Sequence, residues 1–438
     1  MFIEQKRDSA NRSVRERFGS CDQTRERIVL QCTIIRCVMM MALCAALMYP
    51  FVSHLTEAQE RQRREEFGSS LKRLKWDEKE QKAVETRNGA DRADSGEVIR
   101  VETSLAVFDI LPLDKEGRAV SGLNKGDFIV VEDGAPQEVA SFSLGDGSTV
   151  PRSIVLIIDY SGSQQPFIEN SVSAAKTLVD KLKPSDHMAI VTDDVSLLVD
   201  FTRDKRKLKD ALDSLRKKAK SGRTGRSEQY SALLATLKEL IVGAERPIII
   251  FQTDGDELGM LRNAADPPPS VSDSSRFHGR FKEYSLEDIY TAAEKTRTTV
   301  YVVIPGIKFV GIPPEERLER TRTLFEKLFK TRTGGAWRPQ APAFEDYLQR
   351  RAQTLLRQQL ALAGVAKLTG GWAEYLEEPE QAAGIYDRIF AGIERRYILT
   401  YYPTNTRRDG KLRRVEIKVR NHPEYVILGK KSYYAESQ

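Results

Sequence analysis

The sequence predicts an α/β protein with a doubly wound, mostly parallel sheet, accompanied by a small β domain built from flanking strands. Three observations lead to this prediction. Ser153–Ile158 is a continuous apolar, β-branched run, typical of a strand buried on both faces of a parallel sheet. Strand-like and helix-like segments then alternate as far as Ile393. Strand-like segments without helices between them lie on either side of this region.

Residues 1–52 contain a candidate membrane segment. Residues 37–52 are uncharged and apolar, and Arg36 stands directly before them. A helix of this length spans about 24 Å, less than the roughly 30 Å hydrocarbon core, which favours a signal peptide or a short signal anchor. Thr56-Glu57-Ala58 is a weak cleavage site, so both alternatives stay open. The basic flank predicts a cytoplasmic tail, with the rest of the chain anchored in the cell envelope facing the periplasm, or secreted.

Cysteine content and charge limit the classes of function. The cysteines all lie in the amino-terminal part, so an exported body would contain no disulfide, and their spacing matches no zinc site; they are Cys21, Cys32, Cys37 and Cys44. The net charge of +6 is small for 438 residues, and the sequence contains no concentrated basic patch and no aromatic–basic signature typical of nucleic-acid binding. Nucleic acid is therefore not an expected partner.

Residues 53–97 are rich in charges of both signs, which predicts a charged linker: a solvated helix followed by a flexible tether. The alternative is a helix that binds a partner through Phe67, Leu71 and Leu74.

Residues 98–148 and 395–436 predict the two parts of one β domain. In the first part, Asp133-Gly134 lies between two strand-like runs and signals a hairpin, because both residues tolerate the positive φ of a type I′ turn. Three or four strands alone make too small a core. The strand-like runs after residue 395 supply the missing partners, so we expect the α/β domain, residues 150–394, to be inserted between them.

The α/β domain is predicted element by element from its apolar periodicity. The expected strands are 153–158, 188–193, 196–201, 247–252, 299–304 and 372–376, and the expected helices are 167–182, 205–217, 227–242, 286–296 and 380–393. The second and third strands are close enough in sequence to form a hairpin that adds one antiparallel edge strand.

Two insertions interrupt this order. Residues 257–285 include three consecutive prolines and follow directly from a strand end, so they are either a loop that selects a partner or a disordered segment. Residues 307–368 are helix-rich, which predicts a helical insertion in the form of a surface hairpin.

Oxygen-bearing side chains follow the first central strand. Asp159, Ser161 and Ser163 alternate in a tight turn at its carboxyl end, where the loops of an open α/β sheet surround a ligand crevice. One carboxylate and two hydroxyls suit Mg²⁺, Mn²⁺ or Ca²⁺ rather than zinc. The serines alone would also fit a simple turn or helix cap.

A second carboxylate favours the metal site. Asp254 directly follows the end of the predicted strand 247–252. Two carboxylates about 5 Å apart repel by roughly 3 kcal/mol at an effective dielectric of about 20. A fold that brings Asp159 and Asp254 to one crevice therefore needs a cation or a shifted protonation.

These residues resemble the von Willebrand factor type A domain, whose metal-ion-dependent adhesion site has the signature D-x-S-x-S. The resemblance implies that Asp254 is the second acidic member and that a loop hydroxyl is the third hydroxyl ligand. The family usually has threonine there; the register of residues 227–233 puts Ser227 at that place, with Thr224 as a competing candidate. Over residues 98–436, the runs GLNKGDFIVVEDGAPQEVASF and RRYILTYYPTNTRRDGKLRRVEIKV and the TGG turn resemble von Willebrand A-related proteins common in Acidobacteria.

The resemblance also implies a function. In the type A family the hydroxyls coordinate the ion, while the aspartates act largely through water or hydrogen bonds. The protein then supplies too few ligands for a six-coordinate ion, and a Glu or Asp of a partner protein completes the set. We therefore expect a non-enzymatic, metal-dependent adhesion or interaction module.

Two alternatives remain open. One is a scaffold whose metal site only stabilises the fold. The other is a Mg²⁺-dependent phosphohydrolase with Asp159 as nucleophile, although Ser161 stands where such enzymes carry a second carboxylate.

Overall fold

The computed structural model describes residues 58–86, 105–145, 151–262, 281–333 and 342–437. The predicted cytoplasmic tail, membrane segment and cysteines lie outside these residues. Among the helices of the described ranges, none is both long and apolar enough to cross a membrane. The chain divides into two compact units, Met1–Glu65 and Glu66–Gln438. Of the first unit, residues 58–65 are described and are helical.

The second unit contains the strands and helices predicted for the α/β domain in the predicted order, together with two short strands before residue 98 and one at residues 432–434 that were not predicted. The strands are β1 (Leu74–Asp77), β2 (Lys82–Glu85), β3 (Ala106–Leu113), β4 (Phe128–Glu132), β5 (Ala135–Gln137), β6 (Val139–Leu144), β7 (Ser153–Ile158), β8 (His187–Thr192), β9 (Ser196–Thr202), β10 (Pro247–Gln252), β11 (Thr299–Pro305), β12 (Ala373–Leu376), β13 (Tyr397–Tyr401), β14 (Leu412–Val419), β15 (Val426–Leu428) and β16 (Ser432–Tyr434). The helices are α1 (Ile168–Asp180), α2 (Lys205–Lys220), α3 (Gln229–Ala235), α4 (Leu286–Lys295), α5 (Pro314–Thr333), α6 (Pro342–Leu368) and α7 (Gln381–Glu394).

The central sheet has six strands in the order β12-β11-β10-β7-β8-β9. Every neighbouring pair is parallel except β8 and β9, which form the predicted antiparallel hairpin at the edge. The mostly parallel α/β sheet predicted from the sequence is thus confirmed. Strand β7 is a regular example, because all of its residues are buried and its apolar side chains alternate between the two faces.

Helices cover both faces of this sheet. One face packs against α1, α2 and α7, with Leu178, Leu212 and Ile389 fully buried. The other packs against α3, α4 and α6, with Leu233 and Ile289 fully buried. Strand β7 contributes to both cores, so the polar residues that follow it are held on a rigid support.

Strands from the two ends of the second unit pair in two further sheets. Their orders are β15-β3-β13-β6 and β16-β14-β4-β5, and their apolar faces share one core that includes Phe108, Val130, Leu399 and Ile417. The Asp133-Gly134 turn joins β4 and β5, and both residues have positive φ, 46° and 87°. The boundaries of a separate β domain remain a prediction, since these sheets and the central sheet fall in the same compact unit.

Part of the predicted charged linker is folded rather than a tether. β1 and β2 form an antiparallel hairpin, and Phe67, Leu71 and Leu74 pack into the core on one face of the central sheet. The alternative of a partner-binding helix at these apolar residues is therefore wrong. Glu239 ties the segment down, because its carboxylate accepts from Gly68 N at 2.7 Å and Ser70 N at 2.8 Å. Residues 87–104, the rest of the predicted linker and the start of the first β segment, lie outside the described residues.

The insertion 307–368 is also more deeply packed than predicted. Helix α6 ends at Leu368, and Leu362 and Val365 are fully buried in the core on one face of the central sheet. The second half of α6 is therefore a helix of the α/β core and not part of a surface hairpin. A period of apolar residues cannot distinguish these two positions, since both bury one face of the helix.

Candidate metal centre

The candidate site lies at the carboxyl ends of the two middle strands, β7 and β10. Strand β8 pairs with one side of β7 and β10 with the other, so the connections that leave β7 and β10 diverge around a crevice. This is the position where open α/β sheets bind ligands. The predicted residues Asp159 and Asp254 each lie within two positions of the end of one of these strands.

Three carboxylates converge in this crevice. Oxygen atoms of Asp159, Asp254 and Asp256 all lie within 4.8 Å of one another. Asp256 was not among the site residues predicted from the sequence, although the D-G-D spacing put it on the same strand tip. Asp159 is only 2% exposed. Burial, followed by the charges of Asp193 and Asp254, raises its pKa well above the usual range, and burial and the charges of Asp254 and Asp159 do the same for the pKa of Asp256.

The serines of the D-x-S-x-S turn face the same crevice. Ser161 N donates to Asp159 Oδ1 at 2.9 Å, which closes the turn. The Ser161 and Ser163 Oγ atoms lie 3.1 Å apart, and Ser163 Oγ donates to Asp256 Oδ2 at 3.3 Å. The turn leads into a 3-10 helix, Gly162–Phe167, which precedes the predicted helix 167–182 and runs directly into α1. Both hydroxyls are thus beside the carboxylate cluster.

Side-chain amides link the carboxylates, and the sequence-based prediction missed them. Gln229 Nε2 donates to Asp159 Oδ2 at 2.8 Å and to Asp256 Oδ1 at 2.6 Å, and Gln164 Nε2 donates to Asp254 Oδ2 at 2.7 Å. The buried Gln164 Oε1 has no hydrogen-bond partner. Glutamine has no strong sequence signature at a metal site, so only the three-dimensional arrangement reveals these contacts.

Ser227 is the loop hydroxyl that lies at the site. It has φ 58°, in the left-handed region, and therefore precedes α3 instead of starting it as predicted. This conformation directs Ser227 N toward Asp193 Oδ2 at 2.9 Å, and the Ser227 hydroxyl hydrogen-bonds Asp256, which lowers the pKa of that carboxyl against the larger effect of burial. Thr224, the competing candidate, is exposed.

Asp193 fixes the loop that carries Ser227. Its Oδ1 accepts from Tyr160 N at 3.0 Å while Oδ2 accepts from Ser227 N, so one carboxylate joins the D-x-S-x-S turn to the Ser227 loop. Gly225 packs directly against it, and a Cβ at that position would lie 2.1 Å from both carboxylate oxygens. Burial raises the pKa of Asp193 to about 7. Only glycine, which has no side chain, can lie as close to the Asp193 carboxylate as Gly225 does.

The insertion after Asp256 is anchored by a buried carboxylate. Glu257 is fully buried and accepts from Ser231 N at 3.0 Å and from Ser231 Oγ at 2.6 Å, and Lys282 Nζ lies 3.5 Å away. Arg262 and Ser285 form a β-bridge, so the two ends of the insertion meet. Residues 263–280, which carry the predicted partner-selecting loop, lie outside the described part.

The donor set fits a hard divalent cation. It consists of carboxylate and hydroxyl oxygens, with no histidine or cysteine among the residues described above, which suits Mg²⁺, Mn²⁺ or Ca²⁺. The Gln229 and Gln164 amides donate hydrogen bonds to the carboxylates but, being neutral, do not offset their negative charge. The residues present are thus compatible with such an ion.

Comparisons with known proteins give likenesses in structure only. No protein-family model matches the sequence, and no curated protein matches it. The von Willebrand factor type A protein from Catenulispora acidiphila is 13% identical, covers 78% of this chain and 76% of its own, and gives a TM-score of 0.32. The von Willebrand factor domain of the type V pili tip protein Mfa5 from Porphyromonas gingivalis is 13% identical, with coverage of 56% and 96% and a TM-score of 0.31. The conserved hypothetical protein BatB from Bacteroides thetaiotaomicron is 16% identical, with coverage of 56% and 98% and a TM-score of 0.30.

Proposed function

We propose that this protein is a metal-dependent protein-binding module that presents a divalent cation to an acidic side chain of a partner protein. The observation that carries the proposal is the convergence of three carboxylates with the Ser161 and Ser163 hydroxyls at the carboxyl edge of the sheet. Isolated carboxylates at this separation repel one another, so such a cluster is best explained by a cation between them.

Each residue has a defined part in this proposal. The hydroxyls of Ser161, Ser163 and Ser227 would hold the ion, and Asp159 and Asp254 would balance its charge, with Asp256 as a further carboxylate beside them. Mg²⁺, Mn²⁺ and Ca²⁺ all suit this donor set. When bound, the ion supplies an electrophilic centre for an incoming carboxylate.

The protein's own residues keep the site ready for binding. The Gln229 and Gln164 amides hold the carboxylates in the crevice, and Asp193 holds the loop that brings Ser227 to it. Because these supports are buried, the side chains lose little freedom when the ion or a partner binds.

The proposal extends to location and family. We place the body outside the cytoplasmic membrane, attached through residues 37–52 or released after cleavage, and in the group of von Willebrand A-related proteins that residues 98–436 resemble. The apolar run with its basic flank supports the first part, and the flanking β motifs support the second.

Calorimetric titration of the folded full chain with Mg²⁺, Mn²⁺ and Ca²⁺ tests the ion. We expect uptake of one ion, lost in the double variant Ser161→Ala, Ser163→Ala and kept in Ser214→Ala, where the serine is exposed on α2. No uptake at millimolar concentrations would disprove the proposal.

Capture of envelope proteins in Mg²⁺ and then in EDTA tests the partner. We expect at least one protein to be released by EDTA and not to bind the double serine variant. Ion uptake and thermal stabilisation without any EDTA-sensitive partner would favour the scaffold alternative.

A further inference from the structure

A cavity of about 490 Å³ borders the amino end of a strand of the central sheet, whereas the metal centre lies at the carboxyl ends of its strands. The cavity borders residues 294–299, at the end of α4 and the amino end of β11, and the metal centre follows β7 and β10. Two of its walls are consecutive runs, residues 105–109 of the β3 segment and residues 432–436 of the β16 segment. A run of five extended residues is about 17 Å long, so the cavity is a slot that follows two strands.

One wall of this slot is a free strand edge. β13 pairs with Ala106–Ile110 on one side of β3, but on the other side β15 pairs only with Leu111–Leu113. In the ranges that the structure describes, no strand covers Ala106–Ile110 on that second side. The Asp109 carbonyl faces this side, because it lies against the position of Gly429, directly after β15, and it already accepts from Arg396 Nη1 at 3.0 Å. The main-chain groups left open on this side are therefore those that precede Asp109. Since backbone direction alternates along a strand, Val107 presents its N–H and C=O to the same side.

The basic side chains around the slot outnumber the acidic ones. Lys295, Arg297, Arg407, Arg408 and Lys430 line it, against Asp109, Glu294 and Glu436. Some of these charges already have partners within the protein. Lys430 Nζ donates to the carbonyls at the end of α4, including Ala293 O at 2.8 Å, and Arg408 Nε lies 3.7 Å from Glu436. Arg297 and Arg407 are exposed, and neither forms an ion pair with another described residue.

We propose that this slot binds an extended acidic peptide segment of a partner protein, which adds a strand to the free edge of β3 and sets carboxylates against Arg297 and Arg407. Main-chain hydrogen bonds to an open edge supply affinity in this mode of recognition, and the flanking side chains supply specificity. The interaction goes beyond the proposed metal-dependent function, because none of the slot residues belongs to the metal centre.

Fluorescence anisotropy with a labelled probe peptide, Glu-Thr-Val-Glu-Val-Thr-Glu, tests the proposal on the full chain in EDTA. EDTA removes any contribution of the metal centre, so failure of this proposal is distinguishable from failure of the proposed function. We expect saturable binding, at least tenfold weaker for the peptide with lysine in place of glutamate. We also expect at least tenfold weaker binding when alternate backbone nitrogens of the probe are methylated, since these cannot pair with β3.

The variant Arg297→Glu, Arg407→Glu should weaken binding of the acidic probe at least tenfold. Its charge-matched control is Arg206→Glu, Lys218→Glu, on two exposed residues of α2, and should bind the probe within twofold of the unchanged protein. Equal losses in the two variants, or undiminished binding of the methylated probe, would overturn the proposal. A dimer that the Arg297 and Arg407 changes dissociate and that excludes the probe would overturn it in favour of a second copy of this chain.

Discussion

The Gln229 side chain holds Asp159 from across the crevice, with Gln229 Nε2 2.8 Å from Asp159 Oδ2. The same nitrogen lies 2.6 Å from Asp256 Oδ1, and Gln229 Oε1 accepts from Glu257 N at 3.2 Å. One neutral amide thus joins the tips of β7 and β10. It supplies hydrogen bonds without cancelling charge, which leaves the carboxylates able to attract a cation.

Replacing Gln229 by leucine should destabilise the metal-free protein by about 2–4 kcal/mol, because it removes three hydrogen bonds of a fully buried side chain, two of them to the buried residues Asp159 and Glu257, at similar volume. Urea unfolding in EDTA measures the change. Gln358→Leu is the matched control: Gln358 is also buried, but its Oε1 has no hydrogen-bond partner, so its loss should cost less than about 1 kcal/mol. Equal effects of the two substitutions would contradict a supporting role for Gln229.

Replacing Asp256 by asparagine should change stability and ion affinity in opposite directions. Burial and the charges of Asp254 and Asp159 raise the pKa of Asp256, so the neutral residue should raise the metal-free Tm at pH 8 by a few degrees. The same change should weaken Mg²⁺ binding about tenfold, or roughly 1.4 kcal/mol. Differential scanning calorimetry and ion titration measure the two effects, and Asp210→Asn on the exposed face of α2 is the control. A fall in both Tm and affinity would contradict this account.

The sequence predicted the central sheet well because the relevant signals are local. The run Ser153–Ile158 has a single reasonable structure as a buried strand, and the structure has the same bounds. The polar turn after it follows from the same reasoning, since a strand that ends at a carboxylate and two serines must expose them at the sheet edge.

Other features depend on contacts between residues far apart in sequence. The charged segment that contains Leu71 and Leu74 looks like a linker, and it folds because it packs into a core of distant residues and because Glu239 binds Gly68 N and Ser70 N, 171 and 169 positions away. The left-handed conformation of Ser227 and the bridging position of Gln229 likewise require Asp193 and Asp256 as partners. A period of apolar residues carries no information about such pairs.

Replacing Glu239 by alanine should release the hairpin of β1 and β2. The change removes the acceptors of Gly68 N and Ser70 N and should cost about 1–3 kcal/mol. We expect faster cleavage by trypsin within residues 67–86 in limited proteolysis followed by mass spectrometry. Glu287→Ala, at an exposed residue of α4, is the control. Cleavage at the same rate in both variants would show that Glu239 does not retain the segment.

The pH dependence of stability should be unusual for a protein rich in surface carboxylates. Burial raises the pKa of Asp193 from 3.8 to about 7, so its folded form binds a proton more tightly than its unfolded form does. Its contribution to stability is therefore complete below about pH 4 and is lost as the pH rises toward 7. In EDTA we expect the Tm to fall between pH 5 and pH 8, and saturating Mg²⁺ should reduce the fall because a cation favours the ionised carboxylates nearby.

Asp193→Asn identifies the source of this dependence. The variant should have a lower Tm at pH 5, because an amide replaces one of the two acceptors of Tyr160 N and Ser227 N, but a flatter profile between pH 5 and pH 8. Asp210→Asn should leave the profile unchanged, since that residue is exposed. Thermal unfolding followed by circular dichroism at several pH values gives both quantities. A Tm that rises steadily from pH 5 to pH 8 in EDTA would show that the buried carboxylates at this sheet edge do not control the stability of the metal-free protein.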